Sequence, residues 1–107
     1  MKGIAMDVNP IELTPWQVFD RMTSAQIVDV READELPDGM VPGARHIPLG
    51  QVPARHDLLE VGRPVIAVCH SGRRSAGAAA HLASAGFTAY TMTGGMLAWK
   101  TAGLPLV

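Results

Sequence analysis

The only cysteine of the 107-residue chain, Cys69, directly follows Val65-Ile66-Ala67-Val68 and directly precedes His70-Ser71-Gly72-Arg73-Arg74-Ser75. The apolar run reads as a buried strand, which delivers the cysteine to the carboxyl edge of a sheet, where open α/β folds assemble their sites. Gly72 permits backbone angles closed to other residues and so allows a tight turn. A helix then begins, and its unpaired first-turn N–H groups point back toward the sulfur. Cations near a helix N-terminus are unfavourable, so the adjacent Arg73 and Arg74 ask for an anionic partner. The pattern predicts a nucleophilic Cys69 in an anion-binding loop made by His70, Ser71, Gly72, Arg73, Arg74 and Ser75.

Magnitudes show that these parts must act together. A free thiol titrates near ~8.5, and a thiolate near neutrality needs a drop of about 2 units, or roughly 2.7 kcal/mol. A helix dipole contributes about 0.3–1 kcal/mol at an exposed site and up to ~2 kcal/mol when partly buried. Amide hydrogen bonds and arginine must supply the rest. Such a cup also suits an oxyanion such as thiosulfate, whose outer sulfur the thiolate would attack.

The elements that hold the loop follow from periodicity and punctuation. Residues 1–10 read as a loose leader and 11–107 as one domain. Ile11 to Leu13 starts the domain as a short extended piece. Thr14-Pro15 is a helix start, with Trp16, Phe19 and Met22 following at helical spacing. Ile27 to Val30 reads as a strand, buried on both faces except at Asp29. Arg31 to Pro42 is polar and turn-rich. Ala44 to Pro48 reads as a short strand, and Val52 to Val61 as a polar helix with Pro53 near its start. Beyond the Cys69 loop come a helix over 74–85 ended by Gly86, a strand over 87–92, a turn at Gly94-Gly95 and a last helix over 96–102. The alternation gives an α/β fold with a central parallel sheet of about five short strands and helices on both faces.

Composition narrows the function classes. The formal net charge is −1, which argues against nucleic acid or an anionic membrane surface as partner. No stretch approaches the ~18 apolar residues that a membrane helix needs. One cysteine allows no internal disulfide and suits a reducing compartment, so a cytoplasmic location is expected. His46, His56 and His81 show no ligand spacing with each other or with Cys69, so no metal is expected, and no pattern calls for a cofactor. Trp16, Phe19, Phe87 and Trp99 are expected as core or helix-packing anchors.

Three segments together resemble the rhodanese family. Cys69-His70-Ser71-Gly72-Arg73-Arg74-Ser75 matches its active-site loop, cysteine-x-x-glycine-x-arginine-serine. Ile27 to Glu32 with Gly39 to Pro48 resembles its upstream signature, and Thr93 to Lys100 with Gly103-Leu104-Pro105 its C-terminal one. Met40 departs from the pattern, standing where a histidine commonly precedes the hydrophobic-proline-glycine run. The resemblance implies a sulfurtransferase working through a persulfide on Cys69, with thiosulfate or a persulfide as donor. It implies cyanide or a thiol as acceptor, with thioredoxin or a sulfur-relay protein as candidate partners. On this reading the amides from His70 to Ser75 cradle the anion, and Arg74 braces the loop. Arg73 and His70 occupy variable positions facing the donor. Asp29 and Arg31, near the same sheet edge, would pair with each other or with the loop arginine in a supporting role.

Two other function classes share the fold. Cell-cycle dual-specificity phosphatases and arsenate reductases place five residues between cysteine and arginine, whereas this chain places four and carries Ser75 at the phosphatase position. The shorter loop favours sulfur. Non-catalytic rhodanese-like binding modules often lack the cysteine, which this chain keeps.

Overall fold

The computed structural model describes residues 11–107, so the leader expected over residues 1–10 lies outside the described part. Five strands form one sheet: β1 (Ile11–Leu13), β2 (Gln26–Asp29), β3 (Arg45–His46), β4 (Val65–Val68) and β5 (Ala89–Met92). Their order is β1-β5-β4-β2-β3 and every pairing is parallel. The helices are α1 (Pro15–Asp20), α2 (Val52–Arg55), α3 (Arg73–Ser84) and α4 (Gly95–Thr101), with short 3-10 turns at Ala33–Asp38, Leu49–Gln51 and His56–Leu58.

Successive strand residues point to opposite faces, and both faces are covered. Val65 and Ala67 of β4 join Val28, Ala78, Ala79 and Leu82 in the cluster beneath α3. Ile66 and Val68 join Val18, Met92, Met96 and Trp99 in the cluster beneath α1 and α4. The parallel register puts Asp29 beside Val68, and Ala67 beside Thr91, so the carboxyl ends of β2, β4 and β5 share one edge. Cys69 leaves β4 at that edge.

Local chemistry explains most boundaries. Thr14 caps α1 by accepting from the Gln17 amide at 3.2 Å, while the Gln17 side chain accepts from the Thr14 amide at 2.8 Å. Gly72 precedes α3 with φ +103, a left-handed angle that other residues rarely adopt. At the far end the chain runs back to Met40, whose amide and carbonyl both bond Val107 at 3.0 Å.

Some expectations need correction. The polar helix expected over 52–61 is the four-residue α2 followed by the 3-10 turn His56–Leu58, because only Val52 and Leu59 of this stretch are buried and little else holds a continuous helix on the core. Trp16 is 56% exposed and Phe19 39% exposed: α1 is only six residues long and buries Val18 instead. Phe19 does meet the edge of Trp99, ring centroids 6.3 Å apart, while Trp99 and Phe87 are core residues as expected. Asp29 was expected as the exposed break in its strand and is fully buried. The 31–42 stretch is turn-rich as expected and holds the 3-10 turn Ala33–Asp38.

Candidate functional site

Strand β4 ends at Val68, and the chain turns through Cys69 to Gly72 before α3 begins at Arg73. The turn folds back so that donors face the sulfur. The Gly72 amide donates to Cys69 Sγ at 3.0 Å, and the Ser75 amide, in the first turn of α3, donates at 3.3 Å. Ser75 Oγ accepts from the Cys69 thiol at 3.4 Å; its own proton, within reach of the Gly72 carbonyl at 3.2 Å and of Thr91 Oγ1 at 2.7 Å, turns to the sulfur once the thiol ionises. Cys69 is 1% exposed, so the sulfur forms the floor of this cup. An inert core cysteine would show apolar neighbours on every side. This one touches the apolar cluster beneath α3 on one side and amides and a hydroxyl on the other.

The electrostatics follow from that division. Burial pushes the Cys69 thiol up, but hydrogen bonds from the Ser75 hydroxyl and from the Ser75, Gly72 and Ser71 amides outweigh it. The thiol therefore lies below its ordinary value, the condition for a reactive thiolate.

The structure separates the two loop arginines. Arg74 turns to Glu35 in a two-pronged pair, Nη1 to Oε2 and Nη2 to Oε1, both at 2.7 Å. The anionic partner that its place at a helix start asks for is thus a carboxylate of the chain itself. The Arg74 guanidinium holds the Glu35 carboxyl down at about 2, and the same hydrogen bonds raise Arg74. Arg73, His70 and Ser71 are exposed at the mouth of the loop. Beside it lies a groove of about 310 Å³ lined by Glu12, Ser71, Gly72, Arg73, Thr91 and Gly94 among others.

Asp29 and Arg31 pair with each other, both buried, with Nε to Oδ1 at 2.9 Å and Nη2 to Oδ2 at 2.8 Å. Arg31 also donates to the carbonyls of Glu35 at 3.2 Å and Gly39 at 2.9 Å. It thereby fixes the 33–39 segment from which Glu35 reaches Arg74. The supporting pair is connected to the loop through that segment and does not touch the sulfur. His46 Nε2 bonds the Arg31 carbonyl at 2.7 Å, whereas the buried His81 Nε2 has no partner among the described residues. No group of three metal-ligating side chains occurs among the described residues.

Two contributors escaped the sequence reading. Thr91 is a hydroxyl inside a buried strand, and once β5 is placed beside β4 that polar position is a usable signal. Glu35 lies 39 positions before Arg74, and only its acidic neighbours Glu32 and Asp34 hint at a basic partner.

The pattern of the rhodanese-like domain family matches residues 15–102. The thiosulfate sulfurtransferase GlpE of Actinobacillus succinogenes is 33% identical over 98 residues, covering 89% of this chain and 88% of that protein. The crystal structure of a rhodanese-related protein of Thermoplasma volcanium superposes with a TM-score of 0.87 at 26% identity, covering 91% of this chain and 97% of that one. A Rhodopseudomonas palustris protein described as a possible tyrosine phosphatase superposes with a TM-score of 0.83 at 25% identity, covering 92% of this chain and 85% of that one.

Proposed function

The chain belongs to the rhodanese family, and from that premise we propose that it is a sulfurtransferase carrying one sulfur atom at a time on Cys69. The observation that carries this reading is the sulfur facing the Gly72 and Ser75 amides at 3.0 and 3.3 Å. The Cys69 thiolate attacks the outer sulfur of thiosulfate, the donor's S–S bond breaks, and its electron pair leaves with sulfite. The new S–S bond makes a Cys69 persulfide, whose terminal sulfur takes the place of the bound anion among the loop amides. Cyanide or a thiol then attacks that sulfur, and the returning electron pair restores the thiolate. Arg73 and His70, at the mouth, meet the donor, while Arg74 braces the loop through Glu35. We further propose that residues 11–107 act as one rhodanese domain and that a persulfide can replace thiosulfate as donor. The acceptor in the cell is then a thiol of a thioredoxin-like or sulfur-relay partner in the reducing cytoplasm.

The likeness to the R. palustris protein favours a second reading, a phosphatase on the same fold. Two observations weigh against it: four residues separate Cys69 from Arg74, and the Arg74 guanidinium is committed to Glu35 rather than open to a phosphate. Thiocyanate formation from thiosulfate and cyanide, run beside hydrolysis of an aryl phosphate, separates the readings. Sulfur transfer that is lost in Cys69→Ala is the expected result. Phosphate release without thiocyanate would replace it with the second reading, and neither activity would leave a binding module.

A further inference from the structure

Helix α4 places no charged side chain in its first turn, yet that turn is bonded to the back of the Cys69 loop. The Met96 amide donates to the Cys69 carbonyl at 2.8 Å, and the Leu97 amide donates to the His70 carbonyl at 3.1 Å. In a trans peptide the C=O of one residue and the N–H of the next point in opposite directions. Holding the Cys69 carbonyl on α4 therefore turns the His70 N–H away from α4. Holding the His70 carbonyl does the same to the Ser71 N–H, one of the amides that favour the thiolate. The outer carbonyls are anchored, and the inner amides are aimed.

Helix α4 comes this close only because residue 95 is glycine. Its φ is +59, and a Cβ built there would lie 2.4 Å from the His70 carbonyl oxygen and 2.5 Å from that of Cys69. Both obstacles are backbone, so the loop itself would have to move. Gly103 provides the contrast, with φ +73 and nothing within 4 Å of its Cβ position. Alanine there brings backbone strain without collision.

Given a sulfur-carrying Cys69, we propose that Gly95 is a positioning residue of that site. It lets the first-turn amides of α4 clasp the Cys69 and His70 carbonyls and so sets the direction of the amides around the sulfur.

The test compares Gly95→Ala with Gly103→Ala by thermal unfolding, by titration of the thiolate ultraviolet absorbance and by transfer from thiosulfate to cyanide. Both variants lose stability through left-handed strain. Only Gly95→Ala raises the Cys69 pKa, by about one unit, which is about a tenfold change in the thiolate-to-thiol ratio. Its transfer rate falls less than that ratio, by about threefold, because the more basic thiolate is the better nucleophile, while Gly103→Ala keeps the wild-type titration. A folded Gly95→Ala protein with the wild-type titration would overturn the proposal. Should Gly95→Ala not fold, the wild-type protein carries the test by nuclear magnetic resonance. Scalar coupling across the Met96–Cys69 and Leu97–His70 hydrogen bonds is expected, with both amide protons shifting as Cys69 ionises; absent coupling or flat traces would overturn it. A wild-type protein with these couplings and no persulfide would refute sulfur transfer and leave the clasp standing, because the titration reads the clasp without any donor.

Discussion

Ser75→Ala removes one donor from the Cys69 sulfur and leaves the Gly72 and Ser75 amides, at 3.0 and 3.3 Å, in place. A hydrogen bond to a charged group contributes about 1.5–3 kcal/mol, and the 3.4 Å separation of Ser75 Oγ from the sulfur puts this one at the low end. At about 1.4 kcal/mol per unit, the Cys69 pKa rises by about one. Alkylation rates understate that change. The more basic thiolate is also the better nucleophile, by about threefold per unit, so well below the pKa the observed rate falls about threefold rather than tenfold. The assay is therefore the thiolate absorbance followed through a full titration. The same substitution strands the Thr91 hydroxyl, which lies 2.7 Å from Ser75 Oγ in a buried place, at a cost of about 1–3 kcal/mol in stability. Adding Thr91→Val returns most of the stability and none of the pKa change. A wild-type titration in Ser75→Ala would refute the reasoning, and so would recovery of the wild-type pKa in the double variant.

The arginine–carboxylate pairs answer to different measurements. The Glu35 carboxyl, held at about 2 in the folded chain against an ordinary 4.5, contributes stability that is complete above about 4.5 and fades as pH falls toward 2. Urea unfolding of Glu35→Gln should show a loss of about 1 kcal/mol near neutrality that shrinks toward pH 2, small because the pair is 29% and 35% exposed and solvent screens it. A loss that does not change with pH would contradict the assignment. Arg31→Met leaves the fully buried Asp29 carboxylate without its partner and should cost about 3–5 kcal/mol by urea unfolding. A loss under 1 kcal/mol would mean that the 33–39 segment does not depend on this pair.

What the sequence made legible was contiguous. Val65 to Ser75 holds strand, cysteine, turn and helix start in eleven consecutive residues, and each step has a local cause, so cup and sulfur could be read together. The Thr14-Pro15 start of α1 was legible for the same reason. The rest of the site depends on pairings across the sheet. Thr91 reaches Ser75 only because β5 lies beside β4, Glu35 reaches Arg74 only after Arg31 has fixed the intervening segment, and Gly95 matters only where α4 touches the loop. Helical spacing grouped Trp16 with Phe19 and Met22 but could not say which side of so short a helix would meet the sheet; Val18 does. The 52–61 stretch has helical letters, but only Val52 and Leu59 are buried, too few side chains to hold a continuous helix on the core.

The mass of the intact protein after incubation with thiosulfate tests the central claim most directly. Sulfur transfer predicts a gain of one sulfur atom, located on the peptide that contains Cys69, removed by cyanide and absent in Cys69→Ala. An unchanged mass under conditions where Cys69 is shown to be ionised, or a sulfur atom gained elsewhere in the chain, would contradict it.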